Sequence, residues 1–282
     1  MTPNSIPQDA SATLKSPGRP SRFMLLFALV AVLLTGALAA PSVTFLLPNT
    51  ESKHIEVYQP LKTLKFFKNR GQEYHKYGPM TNFVLAPGYA ASLGWWYVTD
   101  QFSNPSDSFP YGLKKPLKQL GFMILQGRVL FLLLALVALS WLLLQLRFIT
   151  EQTPAIVAAV LLVVVSNPFM AQLLPVVRPD SLLFTFSAIC LGLYLRMIYA
   201  GVTRRRLVLM AVALMMAISS KEIAGTIFFL PCLGILALAV RDVRRGHFGA
   251  AEAFRNIVIA AASGIATYVA INVIYAPGAW YE

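Results

Sequence analysis

An arginine and an aspartate stand close together in an apolar half of the chain, in the stretch LLPVVRPDSLLFTFS at residues 173–187. Only Pro179 separates Arg178 from Asp180, and Lys221 occupies a similar joint between two later apolar runs. A carboxylate can exchange a proton and cations can bind an anion, so the three could act together if they face the same side of a membrane. A structural explanation competes with this one. Proline and an acid both suit the first turn of a helix, and an arginine there can reach lipid head groups.

The composition predicts a membrane protein that crosses the bilayer several times. Of the 282 residues, 57% are hydrophobic and only 13% are charged, whereas soluble domains carry about 25% charged residues. The net charge of +12 on such a chain sets orientation and contacts head groups rather than binding nucleic acid. Cys190 and Cys232 lie within apolar runs, which favours buried free thiols over a disulfide or a metal site.

The apolar runs predict an all-α fold with about seven transmembrane helices. They lie near residues 23–40, 121–146, 154–174, 180–200, 205–219, 223–240 and 256–275. Residues 1–21 lack apolar periodicity and are predicted to form a disordered cytoplasmic tail. Residues 22–282 then form one transmembrane module, in which residues 41–118 are the first extracytoplasmic loop.

The basic residues of the short loops predict the orientation, because such loops are enriched in lysine and arginine on the cytoplasmic side. With the N-terminus inside, that side holds Lys15, Arg19, Arg22, Arg147, Arg204, Arg205, Arg206, Arg241, Arg244, Arg245 and Arg255. The short outside loops hold only Arg178 and Lys221. This arrangement places Asp180, Lys221 and the whole first loop on the extracytoplasmic face.

Two amphipathic segments in the first loop predict helices at the membrane interface. In residues 54–71 one face carries Val57, Tyr58, Leu61, Leu64 and Phe67, and the other carries Lys62, Lys65 and Lys68. Pro60 limits the start of this helix to Gln59, since proline suits a first turn. A solvated lid over the spans is the alternative. Residues 73–98 predict a loop and then a helix along the bilayer surface, with Trp95, Trp96 and Tyr97 at head-group level.

Taken in order, several short motifs resemble those of the GT-C superfamily of membrane glycosyltransferases. The nearest branch is that of protein O-mannosyltransferases and bacterial lipid A aminoarabinose transferases. The family motifs are an acid opening an amphipathic helix, a glycine ending it, a YPP-like stretch, an arginine opening the next span, an SP, an RPD and a TK. They are matched here by Glu56, Gly71, KYGPM (76–80), Arg128, SNPF (166–169), VRPDSLL (177–183) and SSKEIAGTIFFLP (219–231). The resemblance covers residues 23–275.

The resemblance implies a glycosyltransferase that moves a sugar from a polyprenyl-phosphate donor to a lipid, glycan or protein acceptor at the extracytoplasmic face. It also implies a bacterial inner membrane location and no cofactor. By the same resemblance, Glu56 acts as the base beside the acceptor, and Asp180 is a second carboxylate of the site. The donor phosphate is contacted by Lys221 and Arg178, with His75 and Lys76 as further candidates. The family usually has an aspartate where Glu56 stands, so Glu51 is an alternative acid.

Two other functions fit parts of the sequence. A carrier or flippase marks its path with charges at the middle of its spans, whereas the candidates here stand at the outer joints. A non-catalytic module of the same fold, which binds a lipid carrier or assembles with partners, fits the replacement of the usual aspartate. A metal site at His54, His75 and Glu51 has no support from ligand spacing.

Overall fold

The computed structural model describes residues 22–44, 59–68, 79–103, 106, 110–145 and 175–274. Within these ranges the chain is helical, and its extended structure amounts to one antiparallel bridge, between Phe102 and Leu113. The helices are α1 (Arg22–Thr44), α2 (Gln59–Lys68), α3 (Met80–Val98), α4 (Pro116–Gln145), α5 (Pro179–Ala200), α6 (Arg204–Ser220), α7 (Ile223–Arg244) and α8 (Ala250–Tyr268), and α8 continues into a π-helical turn (Val269–Ile274).

Five of the described helices are long and apolar enough to cross a membrane, namely α1, α4, α5, α7 and α8 with its π-helical turn. This supports a multi-pass integral membrane protein. A sixth predicted span, residues 205–219, forms α6, but its 17 residues measure only about 25 Å against a hydrocarbon layer of about 30 Å. The seventh, residues 154–174, and the tail 1–21 lie outside the described residues, so the count of seven stays a prediction.

The contacts between helices fix their relative directions. α1 runs antiparallel to α4, because Ala28 and Ala31 pack with Leu139 and Leu143 while Arg128 reaches the other end of α1. α4 and α5 run parallel. Gln145 at the end of α4 accepts a hydrogen bond from Arg196 of α5, and the first turns of both helices share one apolar cluster. The chain therefore enters α4 and α5 at the same end of the bundle, which we call the first-loop end.

α4 is longer than the hydrocarbon layer of a bilayer, and at the first-loop end it runs past the end of α1. Its 30 residues measure about 45 Å, some 15 Å more than the hydrocarbon layer. α3 packs closely on α4, where a β-carbon at Gly127 would meet Leu85 at 3.0 Å, and Tyr89 Oη and Val177 at 3.1 Å each. A β-carbon there would require those side chains to shift by a few tenths of an ångström, so the glycine favours the close packing of α3 on α4.

The first-loop helices differ in two respects from the sequence-based predictions. α2 begins at Gln59 as predicted, but its most buried side chains are Pro60, Thr63 and Phe66, and Phe67 is exposed. The hydroxyl of Thr63 donates to Asn82 Oδ1 at 3.0 Å, so a polar contact anchors α2 to α3.

The side chain of Trp96 faces the interior of the bundle, and its position at head-group level stays a prediction. Trp96 is 7% exposed, and its ring packs edge-on against Phe122 at 6.1 Å between centroids. Consecutive helical residues point about 100° apart. Trp95 and Tyr97 are exposed as expected, and the tryptophan between them faces the core.

At the opposite end of the bundle, a buried carboxylate holds the turn between α5 and α6. Asp242 is fully buried. Its Oδ2 accepts from the backbone N–H of Val202 at 2.8 Å, and its Oδ1 accepts from Arg241 Nε at 2.9 Å. A buried carboxylate needs such donors to offset its lost hydration. Arg241 offsets the cost of burying Asp242, and the bond from Val202 holds the turn.

Candidate functional site

The structure brings Asp180 and Lys221 into direct contact at the first-loop end. Asp180 stands in the first turn of α5, which Pro179 opens, and Lys221 caps the C-terminus of α6. Lys221 Nζ donates to Asp180 Oδ1 at 2.5 Å. The two residues lie 41 positions apart in the chain, so it is the antiparallel packing of α5 and α6 that joins them.

The Asp180–Lys221 pair is open to solvent. Its side chains are 52% and 31% exposed, and ion pairs of this kind contribute about 0–1 kcal/mol. An anionic ligand could therefore draw Lys221 away from Asp180 at little cost. Arg178 is exposed beside the pair, with extended backbone geometry just before α5. Within the described ranges its guanidinium has no hydrogen-bonding or ion-pairing partner.

Polar groups lie beneath the pair, at the end of α6. Ser219 is 1% exposed and its hydroxyl oxygen accepts from Asn272 Nδ2 at 2.8 Å. Ser220 is also fully buried, with its hydroxyl donating to the carbonyl of Met216. Asn272 was not among the residues predicted from the sequence. The one signal for it was an amide side chain within an otherwise apolar run.

The described part of the first loop packs at this same end. α3 contacts both α5 and α6, and Tyr89 of α3 shares an apolar cluster with Leu182 of α5 and Ala217 of α6. The loop and the Asp180–Lys221 pair are therefore neighbours. The side of the membrane that they face stays a prediction from the charge bias.

The other predicted site residues lie outside the described residues. These are Glu56, Glu51, His75 and Lys76, together with the matched motif SNPF. The candidate base and the carboxylate Asp180 are thus not placed relative to each other. Among the described residues, no group of three or more His, Cys, Asp or Glu side chains could hold a metal ion.

Arg128, matched to the arginine that opens a span, does not stand in the first turn of α4, which begins at Pro116. It lies well inside α4 and is 3% exposed. Its Nη1 donates to the carbonyls of Ser42 and Val43 at 3.2 and 3.1 Å. A cation suits the negative end of a helix dipole and can hydrogen-bond its last carbonyls. Arg128 therefore ties the end of α1 to α4.

Comparisons of the chain with family models, with curated proteins and with solved structures find no match. The resemblance to the GT-C superfamily therefore rests on the ordered motifs alone.

Proposed function

We propose that the protein is an integral membrane glycosyltransferase of GT-C type. It moves a sugar from a polyprenyl-phosphate donor to a lipid, glycan or protein acceptor at the extracytoplasmic face. The observation that carries the proposal is the contact between Asp180 and Lys221. These residues belong to separate motifs, one offering a carboxylate for the acceptor and the other a cation for the phosphate. They meet at the end of the bundle where the first loop packs.

The geometry suggests how the pair acts. Sugar transfer passes through an oxocarbenium-like transition state, while negative charge grows on the leaving phosphate. Lys221, with Arg178 nearby, binds that phosphate and stabilises the growing charge. Once Lys221 turns to the phosphate, the carboxylate of Asp180 is free to orient the acceptor hydroxyl or take its proton. Glu56 is proposed as the partner base.

The weak exposed pair suits this exchange. A buried ion pair costs several kcal/mol to open, whereas this one contributes about 0–1 kcal/mol. In the absence of substrate the pair keeps both charges satisfied. Binding of the donor phosphate replaces the carboxylate as the partner of Lys221.

A transporter is the less favoured function. Charges that mark a path stand near the middle of spans, whereas Asp180 and Lys221 stand at helix ends. Arg128, which lies inside α4, is occupied by the carbonyls at the end of α1. A non-catalytic module that binds the lipid carrier uses the same cationic residues and is separated from the transferase by turnover alone.

The test uses the purified full chain in lipid nanodiscs and in sealed vesicles. The probe is polyprenyl phosphate carrying a radiolabelled hexose or pentose, with a membrane extract as acceptor. Transfer of label to the extract supports the proposal. Label that crosses the vesicle membrane while still attached to its lipid assigns a transporter. Saturable binding with neither result assigns the non-catalytic module.

A further inference from the structure

A groove lies between α2, α3, α4 and the segment that joins α3 to α4. Its volume is about 320 Å³, and it is lined by Leu61, Leu64, Lys65, Lys68, Leu93, Phe102, Ser106, Tyr111, Leu113, Leu120 and Met123. This volume falls at the lower end of the range for small-molecule sites. Most of the lining is aliphatic or aromatic, so the groove suits a narrow apolar chain.

Cationic side chains stand at the edge of this groove. Lys65 and Lys68 are both exposed and lie three residues apart on α2, hence on the same side of the helix. Lys62, on the same helix, is exposed but does not line the groove. An apolar floor with cations at one edge is complementary to an amphiphile that has an anionic head group.

The wall of the groove is held in an unusual conformation. Tyr111 has φ of +62°, in the left-handed region that aromatic residues rarely adopt. The neighbouring backbone is fixed by the bridge between Phe102 and Leu113 and by the N–H of Ser103, which donates to the carbonyl of Gly112 at 2.7 Å. The described ends of this wall, residues 102–103 and 112–113, are therefore joined by backbone contacts.

The depth of the groove relative to the membrane is inferred from the position of the end of α1. Arg128 marks that level on α4, since it contacts the last turn of α1. Leu120 and Met123 lie five to eight residues nearer the start of α4, which is about 7–12 Å further out. A bilayer's head-group region adds roughly 5–8 Å to each side of the hydrocarbon layer. These distances place the groove in the head-group region and at its outer edge.

We propose that this groove binds an anionic phospholipid of the surrounding bilayer. The upper part of one acyl chain contacts the leucines of the groove, and the phosphate contacts Lys65 and Lys68. No described residue of α5, α6, α7 or α8 lines the groove, whereas Asp180 and Lys221 of the proposed donor site stand at the ends of α5 and α6. We therefore assign the groove to a bilayer lipid rather than to the sugar carrier. The proposal does not depend on sugar transfer.

The test measures lipid binding to the purified full chain by native mass spectrometry. The probes are phosphatidylglycerol and phosphatidylcholine with identical acyl chains. Each lysine near an anionic lipid contributes about a factor of five in binding, so Lys65→Glu with Lys68→Glu, which also adds two repulsive charges, weakens phosphatidylglycerol binding by at least about thirtyfold. The matched control, Lys62→Glu with Lys118→Glu, makes the same charge change on exposed positions outside the groove and leaves binding near that of the wild type.

A second variant tests the apolar part of the site. Leu64→Trp narrows the groove without changing the charge, and it is expected to abolish retention of phosphatidylglycerol while the melting temperature stays within a few degrees. Equal binding of both phospholipids overturns the proposal, and so does an equal loss in the control variant. Displacement of phosphatidylglycerol by a tenfold lower concentration of polyprenyl phosphate also overturns it, because the groove then belongs to the carrier.

Discussion

Replacing Asp180 by asparagine separates a catalytic role from a structural one. The change removes the charge but keeps the size and most of the hydrogen-bonding capacity. The aspartate side chain of the lost ion pair is 52% exposed, so we expect the free energy of unfolding to fall by about 0–1 kcal/mol. Loss of an acid–base group lowers turnover about 10²–10⁴-fold, which corresponds to about 3–5 kcal/mol of barrier. A catalytic role therefore predicts a rise in the reaction barrier that exceeds the loss of stability by several kcal/mol.

The chain provides a matched control for this experiment. Lys114 and Asp100 form a second exposed pair, at 2.8 Å, within the first loop. Asp100 has φ of +55°, which asparagine tolerates well, so Asp100→Asn removes a comparable pair without straining the backbone. Both variants should melt within about 4 °C of the wild type, and only Asp180→Asn should lose sugar transfer.

The assay is single-turnover transfer from polyprenyl phosphate carrying a radiolabelled sugar, together with thermal unfolding in the same detergent. Lys221→Ala is expected to raise the donor concentration needed for half-maximal rate more than it lowers the maximal rate. Transfer by Asp180→Asn at the wild-type rate would refute the reasoning. Asp180 would then serve only as an acid at the start of α5.

Three further outcomes are expected. Single cysteines introduced into a chain without its native cysteines should be protected from an impermeant thiol reagent at Arg205 and labelled at Ser106; labelling of both from one side contradicts the topology. Gly192→Ala should cost about 1–3 kcal/mol, because the new methyl group overlaps the indole of the facing tryptophan, whereas Gly94→Ala, which meets nothing within 4 Å, should be neutral or slightly stabilising. Asp242→Asn should lower stability by about 2–3 kcal/mol through its charged hydrogen bonds, and an unchanged melting temperature would show that the turn is held by other contacts.

The positions of the helices could be predicted from the sequence wherever a local signal marks them. Pro60 and Pro179 occupy first turns, as their fixed φ and missing N–H favour, and α2 and α5 begin beside them. The apolar runs within the described residues all coincide with helices. These features depend on neighbours in the chain, which the sequence displays directly.

Contacts between distant segments could be predicted only in part. The charge bias predicted that Asp180 and Lys221 share a side of the membrane, but their contact depends on how α5 packs against α6. The periodicity of α2 identified an apolar face, yet the structure buries Thr63 and leaves Leu64 half exposed in the groove. Periodicity shows which residues share a helix face. Which segment covers that face depends on residues that are distant in the chain.

The short helix α6 makes the geometry of the candidate site insensitive to the thickness of the bilayer. From Met210 to Ser220 it has no exposed residue, because α5 and α8 pack along it. Hydrophobic matching acts on helices that touch lipid, so a thicker or thinner host membrane tilts or strains α1 and α7, whose leucines are exposed. Lys221, at the end of the sheltered helix, keeps its position relative to Asp180. Moving the protein between membranes of different thickness should therefore alter its tilt before it alters the geometry of this pair.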